Sequence, residues 1–229
     1  RGRGLVSQSV ETVAQAYGAV LSLACPIDGT PMQTVDGGAL RCANGHSFDR
    51  AREGYYNLLV VQHKASRDPG DSKAMVAARR RFLDGGFYAP IARRAAGIVA
   101  DIAADRRLSI VDAGCGEGTY LGAIAAAAGG GGHAFAGIDI SKPAIQAAAK
   151  RHRNCFWAVA TNRHLPFAAG SVDVILSMFG FPLWEPFAAA QPEGGRVVLA
   201  DPGVDHLLEL RRIIYPEVRA TAPPSFDAA

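Results

Sequence analysis

The chain is short of several things, and each shortage narrows what it can be. No apolar run in its 229 residues approaches the ~18 residues that a membrane-spanning helix needs. The apolar stretch at 17–25 is short, and no basic segment leads into a longer one, so no secretory signal is expected. Cysteine is scarce. Cys25, Cys42, Cys115 and Cys155 do not suggest a secreted disulfide framework. Charge of one sign is not in great excess either. With 24 Lys+Arg against 21 Asp+Glu, bulk electrostatics alone names no nucleic-acid partner. Internal repeats and long low-complexity segments are missing. Together these absences predict a cytoplasmic protein with no membrane contact. At 49% hydrophobic, the chain has enough apolar residues for one good-sized core and a small appendage.

What is present divides along the chain. Residues 1–24 read as an N-terminal extension, "RGRG" followed by a moderately amphipathic run. Residues 25–55 are rich in turn formers, with a hairpin signal at Asp36-Gly37-Gly38, and are too small to hold a core without a staple such as a metal. Residues 56–90 read as a linker and helix. A turn at 68–71 leads to a helix capped by Asp71 or Ser72, running to about Leu83 and ended by Gly85-Gly86. From residue 91 to 229 helix and strand alternate. Helices are expected at 90–104, 118–128 and 141–151, the last with Ser141 as N-cap. Strands are expected at 108–113, 133–139, 155–160, 172–178 and 196–201. Such alternation implies an α/β, Rossmann-like domain with a parallel sheet and helices on both faces.

"VDAGCGEGTY", residues 111–120, follows the first of these strands and opens a helix. Ligands of open parallel sheets bind beyond the carboxyl ends of the strands, where this glycine turn falls. A glycine turn alone is as readily a tight structural turn. Asp139, ending the next strand in "GIDI", sharpens it, because a carboxylate there can accept hydrogen bonds from both hydroxyls of a ribose. The turn reads D-x-G-x-G-x-G from Asp112 through Gly114 and Gly116, with Glu117 inside it. A carboxylate in that place opposes a pyrophosphate but attracts an ammonium or sulfonium. S-adenosylmethionine (SAM) therefore fits better than a dinucleotide. Asn162, in "ATNRHLPF", falls where an adenine edge would lie. Asp173, opening the strand "DVILS", reads more readily as a turn residue than as a catalytic one.

The small N-terminal module carries Cys25 and Asp28, then Cys42 and His46. Cys-x-x-Cys with Cys-x-x-x-His would close a tetrahedral zinc site, but the second ligand position here holds Asp28. Three outcomes stay open: zinc with Asp28 or water as fourth ligand, a weakened zinc site, or a metal-free remnant. Two basic runs, 79–81 and 150–153, have the plain reading of solvated helix faces.

With these residues assembled, the chain resembles the bacterial 23S rRNA (guanine-N1)-methyltransferases, a family that includes enzymes linked to macrolide resistance. The resemblance covers Cys25 to about Val218. Its most specific segments are "CANGHSFDRAREGYYNLL", "VQHKASRDPGDS", "ARRRFLDGGFYAPI", "VDAGCGEG", "IDISKPAIQAAAKR" and "HLLELRRIIYPEV". It implies a SAM-binding methyltransferase domain behind a zinc module that helps grip an rRNA hairpin, with pairing into a homodimer. It also implies that Tyr88, Gly116, Glu117, Asp139 and His206 contact the cofactor. Cys25, Cys42 and His46 match zinc ligands, and Asp28 stands where the family has cysteine. Contacts to 23S rRNA fall to Lys64, Arg67, Arg79, Arg80 and Arg81, with Tyr55 and Tyr56 available for stacking. Asp173 and His164 are candidates for the base by location only.

The sequence departs from the family in "SMFGFPLWEPF", where Phe179, Phe181 and Trp184 make a more aromatic rim, and in ending before the family's last strands. Beside the rRNA enzyme, two other readings follow: a same-fold methyltransferase redirected to a small molecule, and a non-catalytic RNA- or SAM-binding protein.

Overall fold

The computed structural model describes residues 21–63, 69–129 and 132–217. The N-terminal extension up to residue 20, and Lys64 and Arg67, lie outside the described residues.

The first unit is a three-stranded antiparallel sheet. β1 (Met32–Thr34) pairs with β2 (Leu40–Cys42) across a turn at Asp36–Gly38, and β2 pairs with β3 (Ser47–Phe48). The second unit is a six-stranded parallel sheet in the order β4-β7-β6-β5-β8-β9. Its strands are β4 (Tyr56–Asn57), β5 (Ser109–Ala113), β6 (Ala134–Asp139), β7 (Phe156–Val159), β8 (Val174–Met178) and β9 (Arg196–Ala200). The helices are α1 (Lys73–Asp84), α2 (Ala89–Ala103), α3 (Thr119–Ala127), α4 (Lys142–Arg151), α5 (Trp184–Ala190) and α6 (Leu208–Ile214).

β5 and β8 are buried along their whole length, so their apolar residues divide between two faces with period two. Ile110, Val174, Leu176, Trp157 and Val159 pack on one face with Val99, Leu121, Ile124 and Ile145 of the helices. Val111, Ile138, Phe156, Ile175 and Phe187 pack on the other, in one cluster with Leu40, Met32 and Cys42 of the small unit. The small unit thus borrows its core from the back of the large sheet.

The chain leaves β5 for β6 and β7 on one side, then returns to β8 on the other, which places the reversal of strand order at the carboxyl end of β5. The expected elements from 90 onward are found within about two residues of their bounds. Ser141 caps α4 by accepting the Ala144 N–H at 3.2 Å, and Ser72 rather than Asp71 caps α1, accepting from Met75 at 3.3 Å. β4, α5 and α6 were not expected. β4 has two residues and α5 and α6 seven each, too short for a period to show.

Candidate functional site

A cavity of about 790 Å³ opens at the carboxyl ends of the parallel strands. The residues following each strand from β5 to β9 contribute to its wall: Gly114 to Glu117, Asp139 and Ile140, Ala160 to Arg163, Met178 to Phe181, and Pro202 with His206. Helix α1 and the start of α2 cover it with Arg79, Phe82, Leu83 and Tyr88. Expected cofactor residues Tyr88, Gly114, Gly116, Glu117, Asp139, Asn162 and His206 therefore share one wall system, whereas Asp112, also expected to bind the cofactor, is fully buried and does not line the cavity.

Sterics explain the glycine loop. Gly118 has φ +77, and a Cβ there would overlap the Trp157 ring, as would one on Gly137 of β6. Trp157 is fixed in turn by its indole N–H, which donates to the His152 carbonyl at 2.7 Å. The loop can pass close over the sheet only because these two positions lack side chains.

Asp139 closes the loop from the other side. Its carboxylate accepts the Gly116 N–H at 2.9 Å and the Ser141 N–H at 2.7 Å. Burial raises its pKa, against those two hydrogen bonds. Two more carboxylates are buried nearby. Asp112 is fully buried, and burial followed by repulsion from Asp139 pushes it up to about 7. Glu117 is 2% exposed, and burial raises it too, with Arg80 acting the other way. Neither oxygen of Asp112 or Glu117 has a hydrogen-bond partner among the described residues. Buried unpaired carboxylates are costly, and a cationic ligand in the cavity would relieve that of Glu117, which lines it. The donor set therefore fits SAM, with its ammonium and sulfonium, and opposes a pyrophosphate.

The basic run of α1 faces this loop. Arg79 pairs with Asp71, and Arg80 Nε lies 3.7 Å from Glu117 Oε1, so both expected RNA contacts have carboxylate partners here. Arg81 is exposed. Tyr55 and Tyr56, expected to be available for stacking, are both buried, Tyr56 donating to the Gly38 carbonyl at 2.7 Å and Tyr55 accepting from Gln146 at 3.4 Å. A buried ring cannot stack on RNA.

Asp173 is a brace rather than a base. It accepts the Ser109 N–H at 2.8 Å and hydroxyl at 2.9 Å and pairs with Arg106 at 3.2 Å. It precedes β8, at the end of the sheet away from the cavity. His164 stacks on His63 with ring centroids 3.9 Å apart, and neither lines the cavity. Burial, then His164, lowers the His63 pKa.

At the end of β8, Phe179 has φ +58, strained for a residue other than glycine. Its ring centroid lies 5.5 Å from that of Tyr88 and 6.0 Å from that of Tyr120. Phe181 is 88% exposed at the cavity wall, and Asn162 donates to its carbonyl at 3.5 Å. Trp184 does not line the cavity; it sits at the start of α5 with its ring edge-on to Phe187. Asp71, Phe82, Tyr120 and Met178 also form the wall. Sequence reasoning missed these four as wall residues, although Asp71 in "DPGDS" carried a legible signal.

In the small unit, Cys25, Asp28, Cys42 and His46 bring one ligand atom each to within 4.8 Å of one another. His46 Nδ1 lies 3.6 Å from Cys25 Sγ, 3.4 Å from Cys42 Sγ and 3.0 Å from Asp28 Oδ2. Zinc–ligand bonds of about 2.0–2.3 Å in a tetrahedron give ligand–ligand edges of roughly 3.3–3.8 Å. Both sulfur–nitrogen distances fall in that range and the Asp28–His46 distance is a few tenths shorter, so the four groups suit zinc with a small shift of the Asp28 carboxylate. Asp28 is oriented by Thr30 at 2.6 Å and Asn44 at 2.9 Å, and these donors hold its carboxyl well below the usual range. Burial raises the Cys42 thiol, but donors from Thr30, His46 and Asn44 outweigh it and bring it down to about 7, near the thiolate form that metals need.

Comparison with known proteins follows the same division. A zinc-ribbon family described as "RlmA, N-terminal" matches residues 23–67, and a family described as "Methyltransferase domain" matches 110–199. The chain is 32% identical over 195 residues to YxjB of Bacillus subtilis, provisionally named a 23S rRNA (guanine-N(1)-)-methyltransferase. That match covers 83% of this chain and 68% of the relative. A Micromonospora griseorubida protein, provisionally given the same activity, is 35% identical over 208 residues, covering 82% and 68%. The 23S rRNA (guanine(748)-N(1))-methyltransferase of Streptomyces fradiae is 36% identical over 190 residues, 82% of this chain and 66% of that one. This chain therefore spans about two thirds of the length of these relatives. Among solved structures, a protein from Methanococcus maripaludis described provisionally as a SAM-dependent methyltransferase superposes with a TM-score of 0.51 at 15% identity. It covers 66% of this chain and 76% of that one, and supports the fold.

Proposed function

The chain belongs to the 23S rRNA (guanine-N1)-methyltransferase family of SAM-dependent enzymes, and on that footing we propose that it methylates N1 of a guanine in 23S rRNA. The observation that carries the choice of acceptor is the likeness, at 32–36% identity, to three relatives named for guanine-N1 methylation of 23S rRNA. The aromatic rim, although it departs from the family, is compatible with that acceptor: Phe179, held in a strained conformation, and exposed Phe181 stand at the carboxyl end of β8, on the wall of the cofactor cavity. Flat exposed rings at a cavity mouth suit a base turned out of its stack.

SAM supplies the methyl group and leaves as the neutral thioether. The chain's own residues do the positioning. Glu117 holds the ammonium end, Asp139 the ribose, and Asn162 the adenine side, while α1 and Tyr88 keep water from the sulfonium. The transfer is an in-line displacement, so alignment of N1 with the methyl carbon is the main requirement, and the N1 proton must leave. Asp173 lies at the wrong end of the sheet to take it. In the small unit, Cys25, Asp28, Cys42 and His46 would hold a structural zinc that fixes the fold beside the sheet.

The test is transfer from methyl-labelled SAM into 23S rRNA taken from cells that lack this modification. Label in the RNA is the expected result. Bound SAM with unlabelled RNA would point instead to a small-molecule acceptor.

A further inference from the structure

A second cavity, of about 560 Å³, lies at the seam between the small unit and the large sheet. One wall is the turn before β4, with Arg50, Arg52 and Glu53. The other is the end of α4 and the strand entry beyond it, with Lys150 and Arg153, over a floor formed by Trp157. Arg50 already has an interaction of its own, and beside it Arg52, Lys150 and Arg153 face one acid, Glu53.

The helix end accounts for part of this run. Basic residues in a last turn favour the negative end of the helix, and Arg151 is used in a pair with Asp84 at 2.8 Å. Arg153 lies beyond the helix, and Arg50 and Arg52 come from the other unit, so helix capping does not explain them. Arg52 is 94% exposed, and its nearest carboxylate, Glu53, is 4.0 Å away. Such a pair leaves the charge available to a partner.

We propose that this seam cavity binds phosphates of the RNA backbone, an inference that rests on the rRNA reading of the cofactor site. The two cavities lie at opposite ends of β7: Ala160 lines the cofactor cavity and Cys155 the basic one. Five residue steps of strand separate them by about 16 Å. The rim stands at the end of β8, three strands from β7 and so about 14 Å across the sheet as well. A single strand of RNA several nucleotides long that delivers a base to the rim can cover both displacements and place its phosphates at the seam. Phosphate contacts of this kind set register and orientation rather than sequence choice. The site needs both walls, so it exists only when the small unit is docked on the sheet.

The test uses the full chain and a transcript of the 23S rRNA hairpin containing guanine 748, the nucleotide in the Streptomyces fradiae relative's name. Binding is measured against salt concentration for the wild type, for Lys150→Gln with Arg153→Gln, and for Arg52→Gln, with S-adenosylhomocysteine binding as a check on folding. Each lost phosphate contact removes about 0.7–0.9 from the slope of log affinity against log salt. The double variant should therefore lose about 1.4–1.8 and Arg52→Gln about half that, with cofactor binding unchanged. Slope and affinity unchanged in both variants, while the wild type binds and methylates RNA, would overturn the phosphate site and leave the rRNA reading intact. A wild type that shows the slope loss in its variants but methylates no RNA would keep the site and overturn the choice of acceptor. A wild type that does not bind the transcript overturns both. Substitutions that change the oligomeric state at constant RNA affinity would assign this face to a second copy of the chain, and the proposal fails.

Discussion

Glu117 is the residue on which cofactor choice turns. Its side chain is buried with both oxygens unpaired by hydrogen bonds among the described residues, and Arg80 at 3.7 Å is beyond good hydrogen-bond reach. A charge-assisted hydrogen bond contributes about 1.5–3 kcal/mol, so Glu117→Gln should weaken SAM binding by roughly tenfold or more. Calorimetry on the purified protein checks this. The pH dependence has a definite sign. Burial raises this carboxyl above 4.5, so the empty site holds its proton to higher pH, and a cationic ligand must displace that proton. Wild-type affinity should therefore increase as pH rises above 4.5, and the glutamine variant should lose that part of the dependence. Gly118 makes a second prediction at this scale. Gly118→Ala combines a left-handed backbone with overlap on Trp157, and overpacking alone costs about 1–3 kcal/mol. Urea unfolding should show a loss at least that large. The glycine turn and Asp139 were legible in the sequence because backbone geometry restricts which residues can stand there. The pairing of Arg79 and Arg80 with acids was not, since Asp71 and Glu117 reach them only after α1 folds over the sheet.

At the scale of elements, the βαβ alternation from residue 90 could be read because each strand and helix is long enough to show its period. β4 could not, because two residues show no period and only pairing with β7 makes Tyr56–Asn57 a strand. That pairing buries Tyr55 and Tyr56, which the sequence alone leaves looking like exposed aromatics for RNA. The small unit behaves differently. Its strands have two or three residues each, and its core is shared with Phe156 and Ile175 of the large sheet. A structural metal supplies folding free energy to such a unit. Purified protein should contain about one zinc per chain, and chelation should lower the melting temperature. Asp28→Cys should tighten zinc binding, because thiolate is the stronger structural ligand. Competition with a chromogenic chelator measures this, and unchanged affinity would place Asp28 outside the coordination shell.

Across the whole molecule, the cofactor cavity and the aromatic rim share the carboxyl end of the parallel sheet, and the basic seam lies at the opposite end of β7. No helix among the described residues is long and apolar enough to cross a membrane. The direct measurement of the central claim is nucleoside mass spectrometry of 23S rRNA after incubation with this protein and SAM. The rRNA should come from cells that lack the modification. The account predicts new 1-methylguanosine at a single position, lost when Phe179 and Phe181 are both changed to alanine in a variant that still binds SAM. Methylation at another atom or another base, or no methylated nucleoside while SAM is bound, would contradict it.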